Sequence, residues 1–304
     1  MSRRALSALI LLILVGSALV GCGGASSTPS TLTTLSAIDG DVSVMEAGTD
    51  SWTDGDVGMH LEDGDAVKTG DDSSAEITFF DGSTIELQPG TEVEIVSLDI
   101  ADSGYTTISL EQTIGATISR VMNIVDPQSS YEVETATGAA AVRGSIMVVC
   151  VTEEGTSWIA NQQGNIWTRS QGVELQVPER RKCVLKPLLP PELMPPNRSP
   201  LAQDDAFTTD EEHSVTIASP GLLLNDLDPD PYDLLLVTAL DTSGTAGTVT
   251  RWGPRGAFTY DPNGQFDYLQ TGESATDNFA YTVADAVGDT ATATVTITVR
   301  GVGQ

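Results

Sequence analysis

A spacing of two constrains this chain more than any other feature. Val42 and Val44, then Ala75, Ile77 and Phe79, then Ile85 and Leu87, then Val93 and Ile95 alternate with polar neighbours. That period buries one face of a strand and wets the other, and no stretch carries a convincing helical stripe. Turn chemistry falls between the runs, at Gly55-Asp56, Gly64-Asp65, Asp81-Gly82 and Pro89-Gly90. Asp81-Gly82 is the strongest hairpin signal, because both residues tolerate the positive φ of a type I′ turn. The run Ile146 to Val151 breaks the alternation. It is apolar on both faces and is expected to form a central strand covered on both sides.

Residues 187–200, PLLPPELMPPNRSP, hold six prolines. Proline fixes φ and favours an extended chain, so this stretch reads as a semi-rigid spacer and domain boundary. Beyond it the strand-and-turn grammar resumes. Val215–Ile217, Leu234–Leu240, Thr248–Trp252, Ala257–Tyr260, Phe266–Leu269, Phe279–Val283 and Ala291–Val299 make seven expected strands. Seven short strands in about a hundred residues point to an immunoglobulin-like Greek-key sandwich. The expected fold class is all-β throughout.

Several residues carry resemblances. Gly40-Asp41-Val42, Trp52, Gly64-Asp65 with Val67-Lys68-Thr69-Gly70, and Ala75 to Leu87 resemble the FecR domain, and Thr135 to Val149, with Ala141-Val142-Arg143-Gly144-Ser145, is similar to its second signature. Ala136 and Ser145 stand where Pro and Thr are usual. The resemblance implies an extracytoplasmic β-sandwich or roll that contacts a protein or an envelope polymer. Arg143 could grip a ligand carboxylate through its fork or hold the turn at Gly144 by pairing with a local acid; the second reading is favoured. In the second half, the Asp204-Asp205-Ala206-Phe207 start, the LLLNDLDPD loop and the NFAYTVAD strand are similar to bacterial cadherin-like and VCBS-type repeats.

The acids of that half are grouped. In Asn225-Asp226-Leu227-Asp228-Pro229-Asp230, alternate side chains point oxygens the same way, and Ca²⁺ takes six to eight oxygens at about 2.3–2.6 Å. The cadherin-like resemblance also implies calcium. The candidate ligands are Asp205, Asn225, Asp226, Asp228, Asp230 and Asp285, with Asp226, Asp228 and Asp205 foremost. Aspartate also favours turns for backbone reasons alone.

The N-terminus sets Arg3 and Arg4 before an apolar run from Ala5 to Val20, then Gly21 and Cys22. Sixteen apolar residues fall short of the roughly 20 that span a bilayer, and the layout is that of an export signal. Leu19-Val20-Gly21-Cys22 resembles the lipobox of bacterial lipoproteins, which implies a lipid on Cys22 and a mature chain tethered outside the cytoplasm. The expected organisation is a signal peptide at 1–21, a flexible tether at 22–34, a FecR-like domain at 35–186, a Pro-rich linker at 187–201 and a cadherin-like domain at 202–304. Cys150 and Cys183 are then an even pair in an oxidising compartment. A disulfide there would close a loop of about 33 residues, worth on the order of 3 kcal/mol; the alternative is two buried thiols.

The chain has 43 acids against 14 bases over 304 residues, a net charge of −29. Such a surface repels nucleic acid and excludes it as a ligand. Neither His60 nor His213 has a partner at metal spacing, no serine is framed as a nucleophile elbow, and paired carboxylates for glycoside hydrolysis cannot be singled out among so many acids. The chain is therefore expected not to be an enzyme, with a carbohydrate-active enzyme as the minor alternative. The leading reading is a cell-surface lipoprotein that binds an envelope polymer, glycan or protein and serves adhesion. The runner-up is an accessory that senses an extracytoplasmic signal and passes it to a membrane partner.

Overall fold

The computed structural model describes residues 32–122, 126–230 and 233–303; Cys22, the leader and most of the tether lie outside them. Among the described residues the fold is all-β, with one short 3-10 turn at Gly221–Leu223, and no helix is long and apolar enough to cross a membrane.

The first domain opens with β1 (Thr34–Asp39), β2 (Val42–Met45), β3 (Trp52–Asp54), β4 (Ala66–Thr69), β5 (Ser74–Thr78), β6 (Thr84–Leu87) and β7 (Glu92–Ile100). It continues through β8 (Thr106–Arg120), β9 (Ser130–Thr135), β10 (Gly138–Val151), β11 (Ser157–Ser170), β12 (Val173–Val177), β13 (Arg181–Leu185) and β14 (Glu192–Leu193). All fourteen belong to one hydrogen-bonded sheet. Two long strands change partners midway and curl that sheet into a roll. Residues 107–111 of β8 pair with β9, whereas residues 115–120 pair with β10. The changeover falls at Gly115, at φ +88°, where a Cβ would stand 2.4 Å from the Thr91 Cα, so only glycine fits. Strand β10 does the same: residues 138–142 pair with β9 and 146–151 with β8. The inner face of the roll is the core, in which Leu35, Ile77, Ile85, Leu87, Val93 and Ile95 are fully buried. These are the inward members of the alternating runs.

The hairpin at Asp81-Gly82 forms between β5 and β6, but not as a two-residue I′ turn. Phe79 N–H donates to the Ser83 carbonyl and Gly82 N–H to the Phe79 carbonyl, and only Gly82 has positive φ. This is a type I turn closed by a glycine bulge, with the Asp81 carboxylate accepting from Ser83 N–H at 2.8 Å.

The second domain is a sandwich of β15 (Asp205–Asp210), β16 (Val215–Ile217), β17 (Leu236–Asp241), β18 (Thr248–Trp252), β19 (Phe258–Asp261), β20 (Ser274–Ala284) and β21 (Thr290–Arg300). One sheet runs β15-β21-β20-β17 and the other β16-β19-β18. The number of strands is that expected, but one differs. Residues 266–269 lie in turn and coil, with Phe266 and Leu269 buried. The seventh strand is β15, which pairs in parallel with β21. Phe266 and Leu269, an apolar pair spaced by three, bury from a turn, and the acids at the start of β15 mask its strand pattern. Phe258 anchors the core, edge-on to Phe207 at 5.1 Å and to Phe279 at 5.4 Å between centroids.

Two further expectations change. Cys150 and Cys183 are free thiols. They sit on strands flanking β11, opposite Trp158 and Ile159 respectively. Adjacent residues of a strand face opposite sides of the sheet, so no disulfide geometry is available. Burial pushes the Cys150 thiol up to about 12 and raises that of Cys183. The proline-rich stretch also does not hold the domains apart. Leu193 pairs with Cys183 in the β13–β14 ladder, and Asn197 and Arg198 bond to the second domain. A core of Ala116, Ile118, Val148 and Ala160 from the first domain, and Leu234, Leu236, Ala286 and Val287 from the second, joins the two. The run 146–151 is thus covered on one face by the roll and on the other by the sandwich.

A carboxylate cluster at the domain seam

Alternation along the Asn225–Asp230 loop sends its acids to two places. Asp226 turns into the sandwich, where both carboxylate oxygens accept from the Tyr281 hydroxyl at 3.0 Å and Oδ1 accepts Gln203 N–H at 2.8 Å. Asp205 lies beside the same hydroxyl, and Asn225 donates to the Gln203 and Asp204 carbonyls. Burial pushes the Asp205 carboxyl up to about 6 and raises that of Asp226.

The second place is the seam. Carboxylate oxygens of Asp228, Asp233 and Asp285 lie within 4.8 Å of one another. Backbone N–H groups hold each acid: Asp230 N–H donates to Asp228 Oδ1 at 2.7 Å, Ala286 N–H to Asp233 Oδ1 at 3.1 Å, and Asp289 N–H to Asp285 Oδ1 at 2.8 Å. From the first domain, the buried Lys182 ammonium reaches Asp230 Oδ2 at 3.4 Å and also contacts Asp233 Oδ2. Its strand position explains this: Lys182 faces Ala160 across the β11–β13 ladder, on the outer side of the sheet. Arg198 holds Asp230 Oδ1 at 2.9 Å, Arg180 contacts Asp289, and Asn197 Nδ2 donates to Asp285 at 2.7 Å and to Asp289 at 3.0 Å.

The electrostatics follow. Burial pushes the Asp228 carboxyl up to about 6 and raises that of Asp285. Asp230 is buried as well, but hydrogen bonds from Arg198 and the Lys182 charge outweigh that and hold it low. The five aspartates joined by these contacts (228, 230, 233, 285 and 289) face three cations, Lys182, Arg180 and Arg198. The excess of two negative charges matches one divalent ion. Two buried oxygens of this cluster are orphaned, Asp228 Oδ2 and Asn197 Oδ1, as are Asp205 Oδ2 and Asn225 Oδ1 in the group around Tyr281. Buried oxygens without donors are costly in a dry site, and hard oxygen donors are what Ca²⁺ takes. The residues present fit that ion.

The six expected ligands therefore do not form one set. Asp228 and Asp285 meet at the seam with Asp230 beside them, whereas Asp205, Asn225 and Asp226 form a separate group around Tyr281. Sequence reasoning missed Asp233, Asn197 and Lys182. Asp233 lies three residues past the last acid of the Asn225–Asp230 loop, Asn197 lies in the proline-rich stretch, and nothing local marks Lys182. Arg143 pairs with no acid among the described residues; it donates to the Pro127 carbonyl at 2.9 Å. His213 meets Asp210 at 2.7 Å on the surface.

Comparison with known proteins adds two family matches. Residues 65–166 match the model for FecR protein and residues 197–301 that for the bacterial cadherin-like domain. No curated protein matches. Among solved structures, two crystal structures of a protein described as an anti-sigma factor from Parabacteroides distasonis ATCC 8503 are similar at 10% identity, with TM-scores of 0.39 and 0.38, covering 64% of this chain and 98% of theirs. The human desmocollin-1 ectodomain is similar at 7% identity and a TM-score of 0.24, over 91% of this chain and 56% of its own. Neither matched family is an enzyme family. The chain thus holds a segment similar to FecR protein followed by one similar to the bacterial cadherin-like domain.

Proposed function

We propose that this chain is a non-catalytic, extracytoplasmic binding protein, fastened to a membrane by lipid on Cys22, whose two domains act as one adhesive body clamped by Ca²⁺ at their seam. The observation that carries the reading is the orphaned Asp228 Oδ2 beside Asp233 and Asp285, in a cluster two charges short of neutrality. Asp228, Asp233 and Asp285 would hold the ion, with Asn197 Oδ1 at hand from the linker. Bound there, Ca²⁺ would neutralise the carboxylates that Lys182, Arg180 and Arg198 leave uncompensated. The clamp would then fix how the first domain presents its surface to an envelope polymer, glycan or protein. The adhesive role draws on the cadherin-like match; the envelope ligand draws on the FecR match.

The clamp is tested by melting the chain with and without millimolar Ca²⁺. An ion that binds only the folded state at about 100 times its Kd adds about 2.7 kcal/mol, so a rise of several degrees, reversed by chelator, is expected. The Asp228→Asn variant should lose the rise while keeping its fold, since Oδ1 still accepts from Asp230. An unchanged melt and a flat binding isotherm overturn the clamp. The anchor has its own test: Cys22→Ala should move the chain from the membrane to the soluble fraction. Co-purification with an integral-membrane signalling protein, without retention on envelope polymer, would replace adhesion with sensing.

A further inference from the structure

The outer face of β9 to β12 has an unusual composition. On β10, Ala139 and Ala141 point outward and keep the middle strand low. Register places Glu132 and Trp167 on either side of Ala141, and Glu134 and Arg169 on either side of Ala139. Strands lie about 4.8 Å apart, so two rows of side chains about 10 Å apart flank the alanines; Ala139 is covered, at 6% exposed, and the floor opens at Ala141 beside Trp167. Gln176 continues one wall beyond Trp167, and Arg143 faces Asn165 at the end of the trough. Trp167 is 46% exposed, a large indole left on a solvent face. Arg169 and Glu132 meet across the floor at 3.1 Å, with the guanidinium 58% exposed.

Apart from the two alanines, these side chains are one indole and a set of planar forks: carboxylates, carboxamides and guanidinia. Planar forks donate or accept two parallel hydrogen bonds and so match vicinal hydroxyls. An exposed indole offers a flat apolar surface to the C–H face of a ring. We propose that this trough binds a neutral polysaccharide, one sugar ring stacking on Trp167 while the forks take its hydroxyls. The proposal rests on the reading of the chain as an envelope- or matrix-binding protein and names the site and ligand class of that activity.

The alternatives fit less well. Strands β10 and β11 are interior and paired on both sides, so a peptide cannot add as a further strand beside Ala141 and Trp167. Glu132, Glu134 and Glu174 outnumber Arg143 and Arg169 on this face, and the chain carries −29 overall, which disfavours polyanions.

The test is affinity electrophoresis and fluorescence titration of the full chain against dextran, mannan, laminarin and hydroxyethyl cellulose, beside the Trp167→Ala and Arg169→Gln variants. Retardation by at least one of these glycans is expected, with roughly tenfold weaker binding for Trp167→Ala, equivalent to about 1.4 kcal/mol. An unchanged melting temperature for the variant shows that the loss is local. No retardation by any of the four, or retardation indifferent to Trp167, overturns the proposal. So does binding to a polylysine peptide that depends on Trp167 in place of glycan binding. Retention of the chain on isolated envelope separates the levels. If wild type and Trp167→Ala are retained equally, the trough fails and the broader reading stands; if neither is retained, both fail.

Discussion

The outer faces of β10 and β11 are two different surfaces on the same pair of strands. On one side of Gly144 and Gly164 the outward residues are Ile146, Val148, Cys150 and Ala160, packed against Leu234, Leu236, Ala286 and Val287 of the second domain. On the other side they are Ala139, Ala141, Arg143, Trp167 and Arg169, all but the buried Ala139 open to water or partly so. A bulge makes the switch. Arg143 faces Asn165, Ile146 faces Gln163 and Met147 faces Asn161, so β10 and then β11 each take one extra residue; their register is restored and the side-chain parity of both strands reverses. Without the extra residue of β10, its outward set beyond the bulge would be Ser145, Met147 and Val149, and its present interface residues would point into the roll. Gly164 permits the close approach, since a Cβ there would stand 2.7 Å from the Gly144 carbonyl oxygen. Attachment of the second domain is thus a property of half a strand, and the other half is free for a ligand.

The largest effects should fall on the attached half. Val148→Asp buries a charge with no partner among Ile118, Ala160 and Leu236, at a cost on the order of 3–5 kcal/mol. Calorimetry should show the main unfolding transition split in two as the domains uncouple. Ala141→Asp, on the same strand and face beyond the bulge, should change stability by no more than about 0.5 kcal/mol. Equal penalties at the two positions would break the comparison. Next comes Lys182→Met. Asp233 is fully buried and Asp230 nearly so, and removing the ammonium leaves Asp233 uncompensated, a loss of about 3 kcal/mol by chemical denaturation. Adding Asp233→Asn should restore much of it. If the double variant is no more stable than Lys182→Met, the pair is not what joins the charged edge of the seam.

The effect of pH is smaller and comes mostly from the second domain and the seam, although burial also raises the Glu132 carboxyl on the open half. Asp205 and Asp228 are held near 6 by burial, against about 3.9 for an unfolded aspartate. Between those values the folded chain binds protons that the unfolded chain does not, so stability falls as pH rises through about 4 to 6. Asp230 and Asp277 are held low and act in the opposite sense, losing their contribution as pH falls below about 4. Without added Ca²⁺, the melting temperature should peak near pH 5 and decline toward 7, and Asp228→Asn should flatten the decline. A melting temperature that climbs steadily from pH 5 to 7 contradicts the assigned burial.

Much of the first domain's core was legible because period-two alternation depends only on which face is wet. Val42, Ile77, Ile85 and Val93 needed no knowledge of their partners. The run 146–151 announced that it was covered twice but not by what, since the cover comes from residues some ninety and more positions later. The disulfide failed for a related reason: spacing along the chain does not reveal that β11 lies between the two thiols. The candidate ligands were legible as a class and not as a set. Alternation in the NDLDPD loop was real, yet it sent Asp226 toward Tyr281 and Asp228 toward the seam, and the cation that meets the seam comes from β13. Strand β15 was missed because its acids resemble a loop, although its pairing with β21 depends on backbone groups that side-chain pattern does not show.

The smallest effect is the most telling. Trp167→Ala removes one of the largest side chains on β11, and a buried tryptophan cut back this way costs about 3–5 kcal/mol. Trp167 lies on the open half, opposite Ala141 and Gln176 and 46% exposed, so its loss should shift stability by no more than about 0.5 kcal/mol. Val148→Ala deletes far fewer atoms, but from the attached half, and should cost about 1–2 kcal/mol through the methyl groups it removes and the gap it leaves. Urea denaturation of the two variants side by side would then rank the smaller truncation as the more damaging. The reverse order would mean that the indole packs against something in solution, and the open half would have to be reassigned as a second interface.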